Sequence, residues 1–393
     1  MKVLMLDSAN LTPFYNFALA SALADKGNEL LYISTKYTND PTLRAPNNIE
    51  FKDFYFRLFR SIQESGNRKL RRLARGLFYP IDHLRLLFLL KQWKPDVVHI
   101  QWSNIALIDV PFIKLIKKMG IPVVHTVHDV NPLFHIGTTS QTQKVYAACD
   151  RIIIHSKDLL GDLLNRYPLL NKQNVRIVPH GPLQNEDEET NKTMTEARAF
   201  LNIPREHFVV LFFGEIKYYK GLDILVSAIA KASESFSNLH LLVAGRSDNE
   251  SSIPDFSILQ KKEIPHTVST KFIPDEDVWA YFTAANTVCL PYRDISQSGV
   301  LFSAIANEKT IISTKVGALP EIISKTKSGW LCEPEDIDDL SKTIIDVYHQ
   351  RDKLYELGKD AKVLLDKHYS WQSIADKTLS VYNETIASTS MHR

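Results

Sequence analysis

The sequence predicts an α/β protein made of two doubly wound parallel-sheet domains, and three observations carry this prediction. Short apolar runs alternate with segments of helical periodicity along the chain, which is typical of parallel sheets with helices on both faces. The alternation restarts after a polar stretch at residues 183–200, which we interpret as a linker. A length of 393 residues exceeds one typical hydrophobic core and fits two domains.

The first half of the chain supplies six short buried strands. Each is an apolar run of strand length, and helical patterns such as FYNFALASALADKG and DVPFIKLIKKMG separate them. The expected strands are, in order, KVLMLD, ELLYIS, DVVHIQW, PVVHTVHD, RIIIHS and VRIVPHG.

The second half repeats the scheme after the polar stretch. Helical patterns again lie between the strands, among them LDILVSAIAKASES and DDLSKTIIDVYHQ. We therefore expect two similar α/β domains that face one another. The expected strands are HFVVLFFGE, LHLLVAG, VSTKFIP, TVCLPY, TIISTK and SGWLCE.

Composition limits the class of protein. Hydrophobic residues make up 44% and charged residues 23% of the chain, which is ordinary for globular proteins. Cys149, Cys289 and Cys332 lie far apart, which favours a reducing compartment and argues against a zinc site. No apolar run is long enough for a spanning helix, and the start, MKVLMLDSAN, indicates a first strand rather than a signal peptide. We expect a cytoplasmic protein.

The charge is divided unevenly along the chain. Residues 1–180 hold 24 Lys and Arg against 14 Asp and Glu, whereas the remainder holds 23 against 31. Much of the positive charge lies at 57–94, where arginines alternate with apolar residues at near-helical spacing. Such a stretch suits an anionic membrane surface; the alternative is a solvated helix packed on its own domain. No nucleic-acid motif accompanies the charge. The apolar side would comprise Phe56, Phe59, Leu70, Leu73, Leu77 and Phe78.

A phosphate site is indicated at Pro291–Glu321. Here a buried strand leads into a polar turn with Ser298 and Gly299, followed by the short apolar helix pattern VLFSAIA. A glycine in such a turn lets the backbone approach a ligand, and the free amides and dipole of the helix start favour an anion. The alternative is an ordinary strand-to-helix loop.

Ligands of doubly wound sheets bind at the carboxyl ends of the strands, so the residues that follow each strand are the candidates. His128 and Asp129 follow a strand of the first half, and Gly214, Lys217 and Lys220 follow one of the second. Two lysines near free amides suit a diphosphate. A lone histidine at a strand end is more often structural, but the His-Asp pair beside a candidate phosphate site makes the two interpretations of His128 about equal, and both stay open here.

Taken together, several segments resemble the retaining GT-B glycosyltransferases of family 4, which include bacterial mannosyl- and glucosyltransferases. The resemblance extends over essentially the whole chain, and the order and spacing of the segments make it specific. GT-B proteins have two facing Rossmann-like domains with a cleft between them. The matching segments are IVPHG, GEIKYYKG, VAG at Val243–Gly245, FIPDEDVWAYFTAANTVCLPYRDISQSGV, AIANEKTIISTKVGALPE, SGWLCEPED and YSWQSIADKTLSVY.

The resemblance implies a division of labour. Residues 1–182 would form the acceptor domain, with a C-terminal helix at 371–393 crossing back onto it, and 183–370 would form the nucleotide-sugar donor domain. His128 and Lys220 would be the catalytic residues. Asn10, Tyr15 and Asp129 would serve the acceptor side. Donor binding is assigned to Gly214, Lys217, Lys220, Gln297, Ser298, Gly299 and Val300.

Three departures from the family pattern qualify this assignment. The positions where many members carry two glutamates hold Ile295 and Ser303. Ala9 and Asn10 replace a Gly-Gly pair in the first loop, and Glu215 stands where Gly-Arg is common, so that Lys217 would supply the charge. The QSGV form resembles a sub-group in which amides and Ser298 make the contacts.

The resemblance implies transfer of a hexose from a nucleotide-diphosphate sugar to a glycan or lipid-linked acceptor with retention, in polysaccharide, lipopolysaccharide or glycolipid synthesis. No metal or other cofactor is expected, and the protein would be cytoplasmic or peripheral on the inner face of a membrane. Two alternatives stay open: a catalytically silent binding protein of the same fold, and a sugar-nucleotide epimerase or hydrolase. The sequence leaves the sugar, the base and the acceptor unassigned.

Overall fold

The computed structural model divides into two compact units. Unit 1 comprises Met1–Gly181 and Trp371–Arg393, and unit 2 comprises Pro182–Ser370. Each unit is built around one parallel sheet. The residues that the structure describes are 1–36, 44–57, 68–130, 138–157, 159–182, 192–247, 249–295 and 298–391.

Unit 1 contains a sheet with the strand order β3-β2-β1-β4-β5-β6-β7, in which every neighbouring pair is parallel. Its strands are β1 (Lys2–Asp7), β2 (Glu29–Ser34), β3 (Glu50–Asp53), β4 (Val97–Trp102), β5 (Val123–Thr126), β6 (Arg151–Ile154) and β7 (Val175–Ile177). Its helices are α1 (Pro13–Asp25), α2 (Arg68–Trp93), α3 (Ala106–Lys118), α4 (Thr139–Ala148), α5 (Leu159–Arg166) and, at the end of the chain, α14 (Trp371–Met391).

Two helical layers cover the sheet of unit 1. Buried residues of α2, α3, α4 and α5 pack in one apolar cluster with Leu4, Leu6 and Ile100. Residues of α1 and α14 pack in the other cluster with Val3, Met5 and their neighbours on the opposite face. Strands buried on both faces are continuous apolar runs, which explains why they were recognisable in the sequence. The returning helix α14 thus completes the core of unit 1.

Unit 2 contains a second parallel sheet, with the order β10-β9-β8-β11-β12-β13. Its strands are β8 (Phe208–Phe213), β9 (Leu239–Ala244), β10 (His266–Ser269), β11 (Thr287–Leu290), β12 (Thr310–Thr314) and β13 (Gly329–Cys332). Its helices are α6 (Met194–Phe200), α7 (Leu222–Ala232), α8 (Ser257–Lys261), α9 (Asp275–Ala284), α10 (Gly299–Ala306), α11 (Leu319–Thr326), α12 (Ile337–His349) and α13 (Leu354–Tyr369).

The predicted fold class is confirmed, because both sheets are parallel and carry apolar clusters on both faces. Strand order reverses between β1 and β4 in unit 1 and between β8 and β11 in unit 2. At these switch points the connections leave on opposite sides of the sheet and open a crevice at the carboxyl ends of the strands. Ligand-binding residues are therefore expected in the loops after β1, β4, β8 and β11.

Some local expectations were wrong. The polar stretch interpreted as a linker contains α6, which begins with a reciprocal capping box between Thr193 and Glu196. The short strand β3 was missed because its sequence, EFKD, is largely polar and half-exposed. Phe56, placed on the apolar side of a surface helix, is buried in the core instead.

No helix in the described part of the chain is both long and apolar enough to cross a membrane.

Candidate functional site

The loop after β8 gathers three of the residues assigned to donor binding. Gly214 has a φ of +101°, and its N–H donates to the carbonyl of Ala244 at 2.9 Å. A β-carbon at this position would lie 3.1 Å from Val300 Cγ2 and 3.3 Å from Lys220 Nζ. Gly214 therefore combines a left-handed backbone with space that its neighbours already occupy.

We call the loop after β8, from Gly214 to Lys220, and the start of α10 at Ser298–Val300 the cradle. Lys220 is the charged group at its centre. Its side chain is 8% exposed, and Nζ lies 5.5 Å from the centre of the Tyr292 ring. Burial lowers the pKa of the ammonium group from its ordinary value. Among the described residues, no carboxylate pairs with it. A buried cation without a counter-ion is costly for the fold and marks a place prepared for an anion.

The start of α10 completes the cradle. Ser298 caps the helix by accepting from the N–H of Leu301, and its hydroxyl lies 3.3 Å from that of buried Tyr292. The amides of Gly299 and Val300 belong to the first turn, where N–H groups have no acceptor within the helix. Gln297, the remaining donor-binding assignment, lies outside the described residues.

Lys217 lies in a different environment from Lys220. Its ammonium group pairs with Glu215 at 2.9 Å. Arg246, which follows β9, approaches the other oxygen of the same carboxylate at 4.0 Å. The sequence analysis did not identify Arg246, although its position directly after the VAG segment could have indicated it. Glu215 thus links two basic residues at the edge of the cradle.

Arg293 holds the cradle together and was also missed. Its guanidinium group donates two hydrogen bonds to Asp223, at 2.8 and 2.6 Å, and one to the carbonyl of Tyr218 at 2.7 Å. A further bond at 3.1 Å reaches Glu335. Hydrogen bonding to Asp223 raises the pKa of Arg293 above its usual range. Because Arg293 binds the turn Tyr218–Lys220 to the loop after β11, it fixes the backbone position of Lys220.

The two positions that hold glutamates in many relatives of this pattern are apolar or buried here. Ile295 packs partly against the core of unit 2. Ser303 is buried inside α10, and its carbonyl accepts from the Asn307 side chain at 2.8 Å. Asp223 and Glu335 bind Arg293, whereas Asp294 is exposed on the same loop. The cradle is therefore positively charged without a free carboxylate from positions 295 and 303.

In unit 1, the loop after β1 is organised by a buried carboxylate that sequence analysis missed. Asp7 accepts from the backbone N–H groups of Ala9, Asn10 and Leu11 and from the side chain of Asn16. Burial raises the pKa of Asp7 to about 6, and these hydrogen bonds oppose the rise. In the sequence Asp7 is the last residue of a predicted strand, which gives no sign of a further role. Its four hydrogen-bond donors show that it holds the loop after β1 in place.

Asn10 has an internal role. Its φ is +51°, a region that asparagine tolerates better than most residues. The side chain donates to the carbonyl of Thr35 at 2.9 Å and accepts from Tyr32 at 3.0 Å. It is 3% exposed. The side chain therefore joins the ends of β1 and β2, and neither this amide nor the loop N–H groups bound to Asp7 are available to a ligand.

His128, which is half-buried, belongs to a cluster of packed rings. Its Nδ1 lies 3.3 Å from Nε2 of His155, its Nε2 lies 3.0 Å from the Gln101 amide, and its ring stacks on Trp102 at 5.2 Å. His155 Nδ1 must donate to the carbonyl of Val178, so its Nε2 carries no proton. The Nε2 of His128 faces Oε1 of Gln101, which can only accept, so the neutral ring of His128 donates from Nε2.

Burial keeps these rings neutral. It lowers the pKa of His128 well below the ordinary value and that of His155 to about 3, and neighbouring histidines act in the same direction. Both ring nitrogens of His128 face polar atoms of unit 1. The residue can present its face or backbone to a ligand, but it is poorly suited to take up a proton.

Tyr15 lies against this cluster of packed rings. Its ring centre is 4.8 Å from those of His128 and His180 and 5.3 Å from that of Trp371, at the start of α14. The side chain is 1% exposed. The structure thus brings Tyr15 and His128 together and makes Tyr15 the packing centre between the histidines and the returning helix.

Asp129 lines a solvent-open hollow within unit 1. The hollow lies between the carboxyl ends of β4 and β5 and the start of α4, and His128 borders it as well. Its wall combines apolar side chains with hydroxyl, amide and carboxylate groups, a lining that suits a polar ligand with an apolar face. The other polar side chains are Ser103, Asn104, Thr126, Gln141 and Thr142.

Within the described ranges, no group of three or more His, Cys, Asp or Glu residues is arranged to hold a metal ion. The three cysteines are free and buried.

Two family models match the chain. The model described as Glycosyltransferase Family 4 matches residues 14–181, and the one described as Glycosyl transferases group 1 matches residues 193–364. The first lies within unit 1 and the second within unit 2. Together they span most of the sequence.

Individual relatives agree with these matches. The D-inositol 3-phosphate glycosyltransferase of Corynebacterium glutamicum (strain R) is 23% identical over 286 residues, which cover 68% of each chain. The sucrose-phosphate synthase of Thermosynechococcus elongatus has a TM-score of 0.74 at 19% identity and covers 99% of this chain and 100% of its own. Anabaena Alr3699/HepE, solved with UDP and glucose, has a TM-score of 0.73 at 14% identity, with 98% and 100% covered. The solved structures share the fold.

Proposed function

The chain belongs to glycosyltransferase family 4 and has the GT-B fold, and from that premise we propose that it is a retaining hexosyltransferase. It moves a hexose from a nucleotide-diphosphate sugar to a glycan or lipid-linked acceptor. The observation that carries the proposal is Lys220, a buried ammonium group without a carboxylate partner in the described part of unit 2.

A diphosphate supplies the negatively charged partner that Lys220 lacks among the described residues. Phosphate oxygens accept from Lys220 and from the first-turn amides of Gly299 and Val300, while the dipole of α10 adds partial positive charge. The glycine at 214 leaves room for the ammonium group of Lys220, which a β-carbon there would approach to 3.3 Å. The binding of UDP and glucose by Anabaena Alr3699/HepE supports a nucleotide sugar as the ligand of this fold.

The same groups account for catalysis. As the bond between the anomeric carbon and the diphosphate breaks, negative charge builds on the phosphate oxygen, and Lys220 and the amides stabilise it. Asp223 and Glu335 are held by Arg293, and Glu215 is held by Lys217, so these three carboxylates are not placed as a nucleophile of the kind retaining glycosidases use. We propose front-face displacement, with the leaving diphosphate accepting the proton of the acceptor hydroxyl.

His128 has a positioning task in this scheme. With both ring nitrogens facing polar atoms of unit 1 and the ring neutral, it contacts the sugar through its ring or backbone and does not act as a general base. The positive charge of the cradle does the electrostatic work, so that the proposed reaction requires no metal.

Unit 1 provides the acceptor site in this proposal. The hollow bordered by His128 and Asp129 combines hydroxyl and amide groups with the indole of Trp102, which suits the polar edge and apolar face of a sugar. A lipid-linked acceptor would place the protein at the inner face of a membrane, in polysaccharide, lipopolysaccharide or glycolipid synthesis.

A thermal-shift screen against UDP-, GDP- and ADP-sugars tests the donor assignment. One base should raise the melting temperature, because a ligand that binds only the folded state stabilises it by mass action. The same nucleotide should fail to stabilise Lys220→Met. If no nucleotide sugar raises the melting temperature of the wild type, or if the variant responds equally, the donor site is elsewhere or absent.

A catalytically silent binding protein is the second candidate, favoured by Ile295 and Ser303 at the glutamate positions. Single-turnover product analysis separates it from the first. An enzyme releases nucleoside diphosphate when acceptor extracts are added, whereas a silent protein binds the donor and returns it unchanged.

A further inference from the structure

The outer surface of unit 1 carries an apolar stripe on α2. Leu77, Ile81, Leu84 and Phe88 follow one another at intervals of four, three and four residues, the spacing that aligns side chains on one helical face. Leu77, Leu84 and Phe88 are 63%, 59% and 69% exposed. Meanwhile Leu86 and Leu90 are buried on the opposite side of the helix. The stripe is thus a second apolar face, beyond the one that packs on the sheet.

Helix α3 extends this surface. It lies in the same layer as α2, since Phe112, Ile113 and Ile116 pack in the same cluster as Leu86 and Leu90 of α2. Its outward side chains include Leu107, which is 78% exposed, and Leu115. We call the exposed faces of α2 and α3 together the outer face.

Among the side chains of α2 and α3 that the structure describes, the exposed charged groups are basic. The sequence of α2 holds seven Lys and Arg against one acid, Asp82, and that of α3 holds three Lys against one acid, Asp109. Both acids are buried: Asp82 accepts from the N–H of Phe56, and Asp109 accepts from the hydroxyl of Tyr79. Burial thus withdraws the carboxylates of both helices from the surface, whereas Lys91, Lys114 and Lys118 stay exposed.

We propose that the outer face docks on the surface of an anionic lipid bilayer, with Leu77, Ile81, Leu84 and Phe88 entering the headgroup region. An exposed apolar stripe bordered by lysine and free of carboxylates is the pattern of interfacial helices, which bury about 5–10 Å deep. A second copy of the chain is a poor occupant, because two faces of equal positive charge repel one another. The proposal rests on the proposed function for its purpose, which is to meet a lipid-linked acceptor, but the docking itself requires no sugar transfer.

Vesicle flotation of the full chain tests the docking. We expect binding to phosphatidylcholine vesicles with about a third phosphatidylglycerol at about 50 mM salt, and weak binding to phosphatidylcholine alone or at about 500 mM salt. Leu84→Gln/Phe88→Gln should lower the partition coefficient about tenfold or more. The matched control Phe272→Gln/Val363→Gln removes two equally exposed apolar side chains from unit 2 and should bind as the wild type does.

Charge is tested separately. Lys91→Glu/Lys114→Glu should lower binding to the anionic vesicles at least fivefold, since each basic residue near such a surface contributes about that factor. Lys342→Glu/Lys353→Glu, on the surface of unit 2, is the control. Soluble glycerol phosphate should not compete; full competition would assign the lysines to a free phosphate ligand and overturn the membrane proposal.

The docking is refuted if the wild-type protein does not bind anionic vesicles at low salt, or if Leu84→Gln/Phe88→Gln binds them as well as the wild type does. It is also refuted if light scattering shows a concentration-dependent dimer that this variant abolishes. Nucleotide-induced stabilisation of the same variant is measured in parallel. If no nucleotide stabilises any form while vesicle binding follows the outer face, the proposed function fails and the docking stands.

Discussion

The two units meet the same need, a polar site at the carboxyl ends of parallel strands, in opposite ways. In unit 1 the central carboxylate is compensated by neighbouring groups: Asp7 has four donors, and the neutral rings of His128 and His155 lie in contact. In unit 2 the central group, Lys220, has no carboxylate partner among the described residues. The arrangement in unit 1 fixes the shape of its loops, whereas the arrangement in unit 2 leaves the positive charge of Lys220 available to an anionic ligand.

The stabilities of the two units should differ most in their response to low pH. Burial lowers the pKa of His99 and His155 to about 3 and of His125 and His180 to about 4. These groups bind protons more readily when unfolded, so unit 1 is fully stabilised above pH about 6.5 and loses stability as the pH falls. Asp7, with its raised pKa, opposes this between about 4 and 6.

Calorimetry or hydrogen exchange between pH about 5 and 7 measures the effect. Since five histidines with a lowered pKa, His128 included, outnumber one aspartate, we expect several kcal/mol per pH unit for unit 1, at about 1.4 kcal/mol for each net proton. Unit 2, where His240 is the histidine with a clearly lowered pKa among the described residues, should respond less. Equal pH profiles for the two units would contradict the comparison.

Lys220→Met should have the largest effect on activity. Losing one preorganised charge at a developing oxyanion typically lowers kcat by about 10² to 10³. Because the buried ammonium lacks a partner, its removal should leave the melting temperature without nucleotide unchanged or higher. Steady-state kinetics and calorimetry on the same preparations check both signs. A less stable variant with wild-type kcat would make Lys220 a structural residue.

Arg293→Gln should have a smaller effect, mainly on donor binding. The substitution breaks the paired bonds to Asp223 and frees the turn Tyr218–Lys220. We expect KM for the donor to rise about tenfold and the free energy of unfolding to fall by about 1 kcal/mol. Titration with the nucleotide diphosphate measures the first change and denaturant unfolding the second. An unchanged KM would mean that Lys220 keeps its place without the clamp.

Lys217→Met should have the smallest effect. Its charge is already matched by Glu215 at 2.9 Å, so we expect less than a tenfold loss in kcat/KM, in line with the modest energy of half-exposed ion pairs. The same assay as for Lys220 applies. A loss as large as that of Lys220→Met would show that Lys217 leaves Glu215 when the donor binds.

The sequence predicted more of the sheets than of the loops. Strands such as β1 and β8 are continuous apolar runs, and burial on both faces is a local signal. Helix α6 was missed although Thr193 and Glu196 form a capping box, because the surrounding polar residues resembled a linker. The half-exposed strand β3 has no such signal, since its residues follow the pairing with β2 rather than a pattern of their own.

By itself the sequence determined the fold class, the repeated α/β plan and the family, because periodicity and motif order depend on residues close together in the chain. Only the tertiary structure distinguished Lys220 from Lys217, placed His128 beside His155, and buried Asp82 and Asp109 behind an exposed stripe. Pairing, burial and charge compensation join residues from different strands and helices. Their free energies depend on distance and solvent exposure, which no local pattern in the chain records.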